Sequence, residues 1–129
     1  MSIKDLLQSG DWKGEKHVPV IEIKGTPEAG KPVTVEVSVG KEIPHPNTTA
    51  HHISWIEVYF LPEGEKFPQL IGKYEFSAHG AGLQGADTGG VYTEPIVVTT
   101  FKTEKPGKIL ALSYCNIHGL WEGEAELKF

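Results

Sequence analysis

Val33, Val35, Val37 and Val39 alternate with Thr34, Glu36 and Ser38. Successive side chains of an extended strand point to opposite faces, so this alternation specifies a strand with one buried face. A face of that kind needs a second layer to cover it. Residues 18–23, 53–61, 69–76, 95–101, 108–114 and 124–129 are also rich in β-branched and aromatic side chains, the types that fit a pleated, half-buried surface. Between them lie Gly25-Thr26-Pro27, Leu61-Pro62-Glu63-Gly64 and Lys105-Pro106-Gly107, which carry the residues a chain reversal requires. Only residues 2–9 suit a helix, of one or two turns capped by Ser2. The expectation is an all-β, immunoglobulin-like sandwich of about seven strands with a short N-terminal helical turn. A length of 129 residues corresponds to a single domain spanning 1–129.

Composition removes several function classes. The one cysteine can form neither an internal disulfide nor a four-thiolate zinc or iron–sulfur site within the chain. A net charge of −5 lacks the basic footprint of a nucleic-acid binder. No apolar stretch reaches the ~18 residues of a membrane span. The N-terminal segment holds only the apolar pair Leu6-Leu7, against the ~7–15 residues of a secretory signal. The expected compartment is the cytoplasm, where a lone thiol stays reduced.

Gly80-Ala81-Gly82-Leu83-Gln84-Gly85 matches the glycine fingerprint of dinucleotide sites. That motif works by opening a helix onto the pyrophosphate. Ala86-Asp87-Thr88-Gly89-Gly90 is poor helix material, so the segment reads as part of a long loop over residues 77–91. His79, within it, reads as a solvated loop histidine.

Cys115-Asn116-Ile117-His118 follows directly on an apolar strand, and two ligands three residues apart can wrap one metal ion. His45 lies between two prolines in Ile43-Pro44-His45-Pro46, a segment with few accessible conformations. His17 precedes the first strand. His51 and His52 open another, and alternation sends them to opposite faces, so at most one of them faces a given site. The set is one thiolate with four imidazoles, which suits iron, copper or zinc and argues against magnesium and calcium. A blue-copper carrier normally adds an axial methionine, and the sole methionine is Met1. A structural zinc staple closes with four ligands, so a fifth is surplus.

Gly14-Glu15-Lys16-His17-Val18-Pro19, the run GKEIPHPNTTAHHI at 40–53, Tyr92-Thr93-Glu94-Pro95 and the run LSYCNIHGLW at 112–121 together resemble the superoxide reductases of the single-iron, neelaredoxin type. The resemblance covers nearly the whole chain in order and spacing. The related desulfoferrodoxins carry an additional four-cysteine iron domain, which a chain with one cysteine lacks. The resemblance implies a mononuclear iron, cycling between Fe2+ and Fe3+. Its equatorial ligands would be His17, His45, His51 and His118, with Cys115 axial, so it selects His51 over His52. It implies that Glu15 can take the sixth position in the oxidised state and that Lys16 stands near the open site. It further implies a homotetramer supplied with electrons by rubredoxin.

Superoxide reduction takes one electron and two protons to hydrogen peroxide, without releasing dioxygen. The substrate is an anion and the chain is net negative, so a local positive field is needed. One charge at ~6 Å attracts superoxide by roughly 3 kcal/mol at an effective dielectric of ~20, and by less than ~1 kcal/mol in bulk water. Lys16 is the candidate for that charge. Apart from the resemblance, Lys16 and Glu15 read as solvated surface groups.

Overall fold

The computed structural model describes residues 1–129. A four-residue helix α1 (Ile3–Leu6) is followed by seven strands: β1 (Val20–Lys24), β2 (Val33–Ser38), β3 (Ile53–Pro62), β4 (Gln69–Glu75), β5 (Ile96–Phe101), β6 (Gly107–Cys115) and β7 (Gly119–Leu127). They form two antiparallel sheets, ordered β1-β2-β5 and β4-β3-β6-β7. This is the sandwich that the strand pattern predicts, and each of the seven expected strands is present.

Alternation builds the core directly. Val33, Val35 and Val37 of β2 are buried, and they face Ile56, Val58 and Phe60 of β3 together with Ile109 and Ala111 of β6 in one cluster. Along β6 the buried positions are 109, 111, 113 and 115. The period that places Ile109 in the core therefore also delivers Ser113 and Cys115 to the inward face at the end of the strand. The β3–β6 register runs from Pro62↔Gly107 to Ile53↔Cys115, with an irregularity between Ile53 and Trp55.

Boundaries differ where local sequence is ambiguous. The helix is one turn rather than spanning 2–9. Its first turn is closed by the Ser2 N–H donating to the Asp5 carboxylate at 2.9 Å, and Leu7 is already extended. β7 begins at Gly119, not at 124. Gly119 and Gly123 hide its first half from a reading based on β propensity. Gly123 is nevertheless required in the strand, because a side chain there would collide with the Pro19 carbonyl. No helix is long and apolar enough to cross a membrane.

The loop at 77–91 opens no helix. Gly82 and Gly85 exchange backbone hydrogen bonds, and Gly89 N–H donates to Gly80 C=O at 3.0 Å. The dinucleotide fingerprint is therefore a coincidence of glycines in a turn.

Core burial sets an expected result. Ile56 is fully buried, so Ile56→Ala is expected to lower unfolding stability by about 2–5 kcal/mol through lost burial and the cavity left behind. Thr100→Ala, on the outer face of β5, is expected to stay within about 0.5 kcal/mol. Urea denaturation of the two variants beside the parent measures the contrast.

Candidate metal centre

Five of the predicted residues converge at the end of the sandwich where β6 stops. Single ligand atoms from His17, His45, His51 and Cys115 all lie within 4.8 Å of one another. His118 completes the group: its Nδ1 is 3.1 Å from His17 Nε2 and 3.7 Å from Cys115 Sγ. The four imidazoles close a circuit. Ring centroids are 4.8 Å apart for His17–His45, 4.8 Å for His45–His51, 5.0 Å for His51–His118 and 4.8 Å for His118–His17. Cys115 is fully buried beside them, and the His118 backbone N–H donates to its sulfur at 3.3 Å.

His17 is held from several sides. Glu15 accepts its backbone N–H at 3.0 Å and its ring Nδ1–H at 2.7 Å. The buried Ser113 hydroxyl donates to its carbonyl at 3.2 Å. The Trp121 indole stacks on its ring at 4.6 Å with 14° between planes. With Nδ1–H engaged outward, the Nε2 lone pair faces the other donors. The same bond holds the Glu15 carboxyl below its ordinary pKa. In this structure Glu15 is thus engaged on His17.

His45 follows the same rule with a backbone partner, its Nδ1–H donating to the Pro46 carbonyl at 2.6 Å. Gly40 allows this loop its path. It sits at φ +90°, and a side chain there would meet the His45 backbone nitrogen at 2.7 Å. Burial, more than any other effect, pushes the His45 imidazole down to about 4. Burial is also the leading reason that His51 is lowered. Both rings are neutral at pH 7, so their lone pairs are available without loss of a proton.

The donor set fits a metal ion. His45 Nε2 and His51 Nε2 are buried with no hydrogen-bond partner. Orphaned buried groups of this kind cost about 1–3 kcal/mol each, a penalty that a coordinated cation removes. Met1 is fully exposed at the N-terminus, away from the cluster.

His51 and His52 have different surroundings, although both precede β3 and neither belongs to a strand, so strand alternation is not what separates them. His52 stacks on His79, with centroids 3.4 Å apart and 5° between planes, and its Nδ1–H donates to the Thr48 carbonyl at 2.9 Å. His79 is therefore not the solvated loop residue expected from its glycine-rich surroundings. It is half-buried, with Nε2–H on the Phe76 carbonyl. Lys16 is partly buried and takes part in none of the ion pairs. Its charge lies close enough to add to the forces that keep His45 and His51 unprotonated.

Two contributors had no signal in the sequence reading. Ser113 looks like an ordinary polar position in an apolar strand, and only its burial shows its bond to His17. Trp121 belongs to the LSYCNIHGLW run and bonds the nearby His118 carbonyl through Nε1–H at 3.2 Å, but its stacking on His17 joins residues far apart in the chain.

A family model described as desulfoferrodoxin matches residues 9–124. The superoxide reductase of Pyrococcus furiosus is 60% identical over 126 residues, covering 98% of this chain and 99% of that protein. The neelaredoxin of Megalodesulfovibrio gigas is 52% identical over 122 residues, with 95% and 94% covered. The reduced-form structure of the Archaeoglobus fulgidus superoxide reductase superposes with a TM-score of 0.89 at 62% identity, covering 96% of this chain and 99% of that one. With a match to both sequence and fold over nearly the whole chain, and with four histidines and the single cysteine gathered at one end of the sandwich, the chain belongs to the desulfoferrodoxin family, alongside the superoxide reductases and neelaredoxins.

Proposed function

We propose that the protein reduces superoxide to hydrogen peroxide at one iron atom held by His17, His45, His51, His118 and Cys115. The observation that carries this reading is the closed circuit of four imidazoles around a buried thiol. Five donors exceed the four of a structural zinc site, and the sole methionine, the axial ligand a blue-copper set normally adds, is the fully exposed Met1. The close relatives named superoxide reductase support the same substrate.

Iron, when bound, supplies the single electron and an open coordination position for the anion. The chain supplies the rest. Cys115 donates a negatively charged sulfur from the core side, and its charge is steadied by the His118 N–H. Glu15 and the Pro46 carbonyl hold the outer nitrogens of His17 and His45, so that the inner nitrogens stay free to bind. His118 is exposed, leaving the approach open to a small solute on that side. Lys16 holds a proton at Nζ and attracts the substrate anion against the net charge of −5. The Glu15 role in the oxidised state, a homotetrameric assembly, rubredoxin as electron donor and a cytoplasmic location belong to this proposal and rest on the sequence resemblance. Exposed Ile96 and Val98 on β5 offer apolar surface for such an assembly.

Metal analysis of the protein as isolated tests the reading. Iron at one atom per chain is the expected result. Copper would favour an electron carrier, and zinc a non-catalytic staple.

Four substitutions sharpen the assignment. Cys115→Ser is expected to abolish the sulfur-to-iron charge-transfer band of the oxidised protein, and a surviving band would remove Cys115 from the ligand set. His51→Gln is expected to lower iron content, whereas His52→Gln, altering a ring stacked outward on His79, leaves it near that of the parent. Equal losses would reverse that choice. Lys16→Ala is expected to slow the second-order reaction of the reduced protein with superoxide and to flatten its dependence on ionic strength. Loss of ~1–3 kcal/mol of attraction corresponds to roughly a five- to 150-fold drop, with the lower end expected in a solvated site. Pulse radiolysis across a salt series gives the measurement, and an unchanged rate and slope would make Lys16 an ordinary surface charge.

A further inference from the structure

His51 differs from the other three imidazoles. The His17 and His45 rings have outer partners in Glu15 and the Pro46 carbonyl, and the His118 ring reaches only its fellow donors His17 and Cys115. The His51 ring has no such contact, and its buried Nε2 is unpartnered. No hydrogen bond orients the ring, which packs only against the neighbouring imidazoles of His45 and His118, so its placement depends on the backbone on either side of it.

That backbone is gripped by Asn116. Its Oδ1 accepts the His52 N–H at 2.9 Å, and its Nδ2 donates to the Ala50 carbonyl at 2.9 Å. The carboxamide thus bonds the residue before His51 and the residue after it. Its own backbone N–H donates to the His52 carbonyl at 3.2 Å. The β3–β6 ladder ends one step earlier, at Ile53↔Cys115. Beyond that point a single backbone bond remains, and the Asn116 side chain adds two more. Asn116 directly follows Cys115 in the chain, so its carboxamide ties the His51 segment to the thiolate itself.

We propose that Asn116 is a positioning residue of the metal centre, bracketing His51 and setting its location relative to Cys115. The inference rests on the metal-site reading above. The chemistry requires an amide. The position must present an acceptor and a donor on two separate atoms: an ionised carboxylate has no donor, an aliphatic group has neither, and a hydroxyl has only one oxygen for both bonds. The two neighbours also fix the amide's orientation, because a backbone N–H calls for the oxygen and a carbonyl for the nitrogen. An Asn116→Asp change keeps the bond to the His52 N–H and sets a carboxylate oxygen against the Ala50 carbonyl. Asn116→Ala removes both bonds.

Cobalt(II) serves as the probe, bound to the full chain in place of the native metal, with affinity read by competition against a chelator and geometry read from the ligand-field bands. Both Asn116 variants are expected to bind about 10–100-fold more weakly, the range typical of lost outer partners of a metal ligand, and to show shifted bands. Ile109→Val is the control for general weakening of the fold. It alters the fully buried core near the opposite end of β6, and is expected to keep native affinity and native bands. Native affinity and bands in both Asn116 variants would overturn the proposal, as would an equal loss in Ile109→Val. Failure of the parent protein itself to bind cobalt would overturn the metal-site reading, and this inference with it.

Discussion

The antiparallel ladder between β3 and β6 is the constraint on which the site depends. Its register ends at Ile53↔Cys115, so the segment carrying His51 and the segment carrying His118 leave the sheet at the same level. A slip of one residue would turn Cys115 from the core to the outer face, because side chains alternate strictly along a strand. The buried row at 109, 111 and 113 makes such a slip costly. Core packing far from the metal thereby sets the position of the thiol.

Around that anchor, the imidazoles are prepared mainly through their outer nitrogens. Glu15 engages His17 and the Pro46 carbonyl engages His45, fixing which nitrogen carries the proton. Burial keeps His45 and His51 neutral. The resulting cluster of lone pairs is unfavourable without a cation, since buried acceptors with no partner lose their hydration uncompensated. A site of this kind stores its binding free energy in groups that the fold has already desolvated and aimed. Ser113 and Trp121 hold the backbone and ring of His17, Gly40 makes room for the His45 backbone, and Asn116 bonds the residues on either side of His51.

The glycine-rich loop contributes by packing. Thr49 N–H bonds the Asp87 carboxylate at 2.9 Å, and the Thr49 hydroxyl bonds the His79 carbonyl at 2.7 Å. Through these contacts and the His52–His79 stack, the loop backs the turn that presents His51. This explains why a segment that reads as a solvated excursion holds a half-buried histidine.

The seven strands were legible in the sequence because a period of two is a local property that burial on one face enforces. The Cys-x-x-His pair and the proline-bracketed His45 were legible as donors because residue type and local stiffness are also local. The start of β7 was not, since Gly123 answers to the Pro19 carbonyl across the fold. The local pattern left open which of His51 and His52 faces the metal, and the family resemblance supplied that choice. Only the tertiary structure decided that Glu15 sits on His17, that His79 lies against His52, and that Ser113, Trp121 and Asn116 brace the segments carrying the candidate donors. Apart from the local Glu15–His17 bond, such contacts join residues as far as 104 positions apart, and they are fixed by strand register and sheet packing, which no local pattern encodes.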